Sequence, residues 1–282
     1  MGYEGSASPA SELPVPLSEA GLKYDERGFP LIKPRNIEGF HFHPVTHAQF
    51  ALGKYGKHLK GEPGDFFLSA ADRLIEVQGE DGSYRYPFPF RHYTLERPYE
   101  PGWISGMAQG QVLSVLSRAF LLSSDPKYLE AGERALAFLT KGKEDGGPMT
   151  TLADLDPSLA GYIFFEEYVT NPDVYTLNGY VFTLLGLYDF WQASGSETAR
   201  SYFDRGVASL KLILPLYEVA DFSAYDLSHL TVKRETYRSR GIPHMSARYH
   251  PIHIMLLHAL ASVTGDDMFA ATADKWETFV PQ

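Results

Sequence analysis

Residues 103–141, WISGMAQGQVLSVLSRAFLLSSDPKYLEAGERALAFLTK, carry the signal from which the fold follows. Apolar residues recur at helical spacing over 103–122 and again over 126–141. Between them, SSDPKY at 123–128 supplies the capping and breaking residues of a tight turn. Two helices joined so closely fold back on each other as a hairpin. The same long helix, short polar turn and second helix recur about every seventy residues. ASGSET at 193–198 separates segments 176–193 and 197–214, VTGDDMF at 263–269 separates 251–263 and 267–279, and an earlier pair spans 45–59 and 66–78. Eight segments in four pairs predict an all-α fold, an (α/α) toroid or barrel over 40–282. Residues 1–39, rich in Ser, Pro and Glu toward their start, read as a partly irregular arm.

Composition narrows the chemistry. At 282 residues with 44% hydrophobic content, the chain can bury one large core. It has no cysteine, which excludes disulfides, a thiolate nucleophile and Cys-ligated zinc. A formal net charge of −10 opposes nucleic-acid binding, because phosphate backbones attract basic surfaces. No apolar run approaches the length of a membrane span, and the first thirty residues lack a basic region followed by an apolar one. The expectation is a soluble, cytoplasmic protein with no membrane partner. Surplus apolar helix faces would suit a homodimer.

Between the helix pairs lie connections near 80–102, 142–175 and 215–250, longer than ordinary loops and loaded with Tyr, Arg, His and acids. If alternate helices line the inside, these connections emerge at one end and their polar groups converge on one cleft. Three clusters stand out: Glu166, Glu167 and Tyr168; Tyr225 and Asp226; and Arg248, Tyr249, His250 and His253. A phenol is a poor base at its ordinary pKa of about 10. Cationic neighbours favour its ionised form, and Arg248 with the run Lys233, Arg234, Arg238 and Arg240 supplies candidates. A Glu-Glu-Tyr triplet or basic run is also what an exposed loop looks like, so these residues alone leave both readings open.

Metal and serine chemistry have weaker support. His41, His43 and His47 form H-x-H-x3-H, and His250 and His253 form H-x2-H. Such spacings bind divalent metals, but no HExxH or well-placed acid accompanies them, and hydrogen-bonded or packed histidines are the expectation. G-x-S-x-G and Gly-rich phosphate loops are absent. No metal or cofactor is called for.

Five ordered motifs carry a resemblance: HFHPVTHAQFALGKYGK (41–57), EPGWISGMAQGQVLSVLSRAFLLSSDPKYL (100–129), EEYVTNPDVYTLNGYVFTLLGLYDF (166–190), LILPLYEVADFSAYDLSHL (212–230) and RYHPIHIMLLHALASVTGD (248–266). In this order they resemble the C-terminal catalytic domain of the D-glucuronyl C5-epimerase family, which converts glucuronate to iduronate in heparan-type polysaccharides. The resemblance implies an (α/α) barrel. It also implies that Glu167 and Tyr168 match the family's Glu-Tyr pair and that Tyr225 and Tyr249 match its other active-site tyrosines. Two positions depart from the pattern: Ser228 stands where the family has an arginine suited to an anion, and Ala247 and Arg248 precede Tyr249 where it has Arg-Trp-Asp. The animal members' β-rich N-terminal domains, their residues beside the cleft and their membrane anchor are expected to be nearly all absent here.

Inverting C5 of a uronate requires a proton to leave one face and another to arrive on the opposite face, with the enediolate stabilised between. The expectation is Glu167 on one face and Tyr249 on the other, with Tyr168 and Tyr225 orienting substrate or tuning proton affinity. Which group serves which face stays open. Arg248, His253, Arg91 and His92 are candidates to meet the uronate carboxylate, and Trp103, Gln109 and Asn178 candidates to contact sugar. Two alternatives remain. A polysaccharide lyase shares the carbanion and then expels the C4 substituent, whereas a noncatalytic carbohydrate-binding protein would use Trp103, Tyr86, Phe88 and Phe90 as stacking surfaces.

Overall fold

A computed structural model describes residues 22–220, 222–232 and 242–278. The basic run Lys233, Arg234, Arg238 and Arg240 and the first part of the arm lie outside the described residues.

The longest segments alternate in character, and that alternation builds the architecture. Helices α1 (Pro44–Leu59), α3 (Gly106–Ser123), α5 (Leu177–Ser194) and α8 (His250–Thr264) pack side by side in that order. Each also packs against the helix that follows its turn: α2 (Asp65–Val77), α4 (Lys127–Leu139), α6 (Glu197–Ile213) and α9 (Asp267–Glu277). The inner α3 and α5 are buried around almost their whole circumference, whereas α4, α6 and α9 bury one stripe and leave the other in water. This is the (α/α) toroid architecture that the four hairpins imply, and the eight segments coincide with these helices to within three residues at every end. The one-turn helix α7 (Ser228–Thr231) was not expected.

Local chemistry sets the boundaries. Side chains of His43, Ser105, Ser196 and Asp266 accept hydrogen bonds from the first turns of α1, α3, α6 and α9. Gly195 and Gly265 end α5 and α8 in the left-handed region. The α3–α5 crossing depends on two glycines: a β-carbon at Gly110 would collide with the Thr183 backbone, and one at Gly186 with the Gly110 carbonyl. Removing those side chains lets the inner helices approach until their backbones touch.

Among the described residues, three small antiparallel strand pairs decorate this scaffold: β1 (Leu22–Tyr24) with β2 (Pro30–Ile32), β3 (Met149–Thr151) with β4 (Ile163–Phe165), and β5 (Glu218–Val219) with β6 (Phe222–Ser223). The described part of the arm thus contains an ordered hairpin, with Phe29 buried in the main core. Among the described residues, no helix is long and apolar enough to cross a membrane.

Candidate active site

The four inner helices point their N-terminal ends at one pocket of about 580 Å³. Thr46 and Gln49 of α1, Met107 of α3, Asn178 and Phe182 of α5, and Ile252 of α8 form its floor. Helix N-termini carry partial positive charge, so four of them favour an anion at the floor. The long connections form the walls: Tyr86, Phe88, Phe90, Arg91 and Trp103 from one, Glu167 and Tyr168 from the next, and Arg248 and Tyr249 from the last.

Glu167 lies two residues beyond the end of strand β4, and the chain is anchored around it. The Gly106 N–H donates to the Glu166 carbonyl (2.8 Å), tying the strand end to the start of α3. The Glu166 side chain turns away from the pocket, and its Oε1 accepts from the backbone N–H groups of Val174 (3.1 Å) and Tyr175 (2.9 Å). Tyr175 sits in the left-handed region (φ 56°), a conformation that costs a tyrosine about 1 kcal/mol. It is held there by a donation from its own hydroxyl to the Thr151 carbonyl (2.8 Å) and by one from the Tyr217 hydroxyl to its carbonyl (2.6 Å). Of the two adjacent glutamates, Glu166 therefore fixes the loop and Glu167 faces the cavity.

Glu167 is 7% exposed as a residue, and its Oε2 is fully buried without a hydrogen-bond partner. Burial raises its pKa to about 7, although the hydroxyls of Tyr168 and Tyr225 pull the other way by favouring the carboxylate. Among the described residues, Glu167 is the one carboxylate lining the pocket. Burial also pushes the phenols of Tyr168, Tyr225 and Tyr249 above their ordinary range, with the Glu167 charge adding to the rise in each. Arg248 opposes that rise at Tyr249. Tyr225 packs on Tyr249 with ring centres 4.5 Å apart, directly behind the pocket lining. Backbone bonds from Tyr225 to His244 (2.7 Å) and from Leu177 to Tyr225 (3.0 Å) stitch it between the last loop and the start of α5. These residues thus form one acid–phenol cluster, with one carboxyl poised near neutrality and three phenols kept protonated.

The remaining candidates divide. Arg91, Arg248, Trp103 and Asn178 line the pocket; Asn178 Oδ1 is buried and unpartnered. Trp103 stacks on Tyr86 (3.7 Å between ring centres) and donates its indole N–H to the Phe88 carbonyl (3.0 Å), so the aromatic wall is a packed unit. Gln109 lies outside the lining and spends its amide on backbone, accepting from Tyr84 N–H (2.8 Å) and donating to the carbonyls of Gly82 and Ala135 (both 3.2 Å). His92 is buried behind Tyr168, its ring 4.6 Å away. His253 is buried beneath the pocket, with Nδ1 2.8 Å from Ser223 Oγ. Ser223 Oγ is also 2.8 Å from Nδ1 of His250, which in turn reaches the Trp276 carbonyl. These two imidazoles brace β6 and α9 against α8. Ser228 is buried, its N–H donating to Asp226 (2.9 Å), whose other oxygen accepts from Tyr93.

The first histidine cluster is dispersed into local bonds: His41 to the Glu38 carbonyl (2.8 Å), His43 to Thr46 (3.1 Å) and His47 to the Ala70 carbonyl (2.8 Å). Among the described residues, the one trio whose ligand atoms gather within 4.8 Å is His258, Asp274 and Glu277, none of which lines the pocket. Sequence reading did not single out Arg35, Asn36, His43 or Gln49 as pocket residues. The local pattern around Arg35 and Asn36 says turn, and only tertiary packing brings that turn over the cleft.

A family model described as D-glucuronyl C5-epimerase C-terminus matches residues 78–278. D-glucuronyl C5-epimerase of Caenorhabditis elegans is 34% identical over 222 residues, covering 74% of this chain and 34% of the worm protein. An uncharacterized protein of Methanocaldococcus jannaschii is 27% identical over 217 residues, covering 75% of this chain and 64% of its own length. The chain thus spans about a third of the first relative and under two thirds of the second. Among solved structures, a polysaccharide lyase superposes with a TM-score of 0.51 at 12% identity, over 84% of this chain and 58% of that one, a likeness of fold.

Proposed function

We propose that this chain, which belongs to the D-glucuronyl C5-epimerase C-terminus family, inverts C5 of glucuronate residues within a polysaccharide, and that residues 40–282 form the unit that does so. The observation that carries this reading is Glu167, the one pocket carboxyl among the described residues, with its pKa raised to about 7 among three protonated phenols. A base for a weak carbon acid must be ionised in useful amount at neutral pH and still hold a proton well, which an ordinary carboxylate does not.

In the direction from glucuronate, Glu167 takes the C5 proton as the C5–H bond breaks, and the electron pair moves into the substrate carboxylate to form the enediolate. Tyr249, whose phenol burial keeps protonated, gives a proton to the opposite face of C5, restoring the C–H bond with inverted configuration. Proton exchange with solvent then resets both groups. The reverse reaction exchanges the roles. Tyr168 and Tyr225 favour the Glu167 carboxylate, and Tyr168, which lines the pocket, holds the ring between the two faces. Arg248 and Arg91 meet the substrate carboxylate as its second negative charge develops, aided by the inner-helix N-termini.

Product analysis tests the reading. Incubation with uronate polymers is expected to yield iduronate by NMR with no rise in ultraviolet absorbance. An unsaturated uronate product would instead make the protein a lyase.

A further inference from the structure

The family match begins at residue 78, yet one side of the pocket is built from residues before it. Residues 32–41 form a closed loop whose base is pinned by reciprocal backbone bonds between Ile32 and His41 (3.0 and 2.8 Å). The Ile37 N–H donates to the Pro34 carbonyl (3.2 Å), and Asn36 turns the chain in the left-handed region (φ 62°), which asparagine tolerates. The ring of His41 packs 5.6 Å from that of Phe88, fastening the loop to the aromatic wall. The tip of this fixed loop is Arg35, exposed at the pocket.

Arg35, Arg91 and Arg248 reach the pocket from three separate segments, and among the described residues no carboxylate pairs with any of them. In a chain of net charge −10, three guanidinium groups around a pocket that has one carboxylate among the described residues make a local field of the opposite sign.

We propose that Arg35 is a specificity-determining residue: loop 32–41 presents its guanidinium to an anionic group, carboxylate or sulfate, on a sugar neighbouring the one that Glu167 reaches. The inference rests on the glycan reading of the pocket. The substrate then carries charge on at least two sugars, and a short fragment with a single uronate loses this contact. Guanidinium recognises either oxyanion through paired N–H donors.

Calorimetric binding of uronate-only and N-sulfated hexasaccharides, alongside kinetics, tests this with Arg35→Gln and a charge-matched control, Arg200→Gln, on exposed α6. Arg35→Gln is expected to weaken hexasaccharide binding about tenfold, roughly 1.4 kcal/mol, and to raise KM with kcat within about twofold, the loss shrinking as salt rises. The control is expected to bind as wild type does. Loss with both hexasaccharides identifies a carboxylate, and loss confined to the N-sulfated one identifies a sulfate. Equal binding by the two variants overturns the proposal even if the enzyme turns over. Arg35-dependent binding without turnover keeps the proposal and removes the epimerase reading, and failure of wild-type protein to bind either hexasaccharide overturns both.

Discussion

The Glu167 carboxyl lies directly on Gly179 in the first turn of α5. A β-carbon at that glycine would stand 2.7 Å from the Glu167 β-carbon and closer still to Oε2. Helix α5 therefore sets the position of the proposed base through an absent side chain. Gly179→Ala improves intrinsic helix propensity but forces Glu167 or the helix to shift, an overpacking cost of about 1–3 kcal/mol. The expected outcome is a loss of more than about tenfold in turnover, because a displaced base no longer faces C5, with a melting temperature only a few degrees lower by thermal unfolding.

The elevated pKa of Glu167 has consequences for rate and for stability. If it is the base, turnover of glucuronate rises as pH passes upward through about 7, and Glu167→Gln removes about 10²–10⁴ of the rate. Its folded pKa lies above its unfolded value near 4.5, so its stabilising contribution is complete below that value and is lost as pH rises through 7. Above pH 7 the buried charge weakens the fold. Glu167→Gln is thus expected to melt at a higher temperature than wild type at pH 8, while the two converge near pH 5. Scanning both proteins across that range checks it.

Tyr249→Phe is expected to fold normally and lose most inversion, because the phenol packs on Tyr225 chiefly through its ring. Glu167 remains able to remove and return a proton on its own face. Deuterium exchange at C5 with little iduronate formation is therefore the signature of this variant, read by NMR of recovered polymer. Normal inversion in Tyr249→Phe would sink the two-face assignment.

The helices were legible because 3.6-residue periodicity and short capped turns are local properties. The Glu166–Tyr168 cluster stood out in the sequence, but only the family resemblance singled out Glu167 with Tyr168. Burial and direction were not local: nothing in EEY tells Glu166 from Glu167, which part only when the Val174 and Tyr175 N–H groups claim Glu166. Gln109 looks like a sugar ligand in MAQGQ, but its amide is consumed by three backbone groups from distant segments. Arg35 presented the opposite difficulty. It lies in a Pro-Arg-Asn turn with no motif, and only the Ile32–His41 pairing brings it to the cleft.

Acid should expose the buried histidines. Burial lowers His253 to about 3 and His47 to about 4, so both are neutral in the folded protein at pH 6. Each contributes stability that is present above pH 6.5 and is lost as pH falls toward its folded pKa, with a slope of up to about 1.4 kcal/mol per pH unit. His253→Asn is expected to flatten the acid limb between pH 6 and 4, measured by urea midpoints. An unchanged limb would mean that His253 does not control it.

The most direct measurement is the fate of the C5 hydrogen in deuterated water. Wild-type protein incubated with glucuronate polymers is expected to place deuterium at C5 and to generate iduronate, with both signals lost in Glu167→Gln. Folded wild-type protein that leaves C5 fully protiated in every uronate polymer would contradict the proton-transfer role assigned to this pocket.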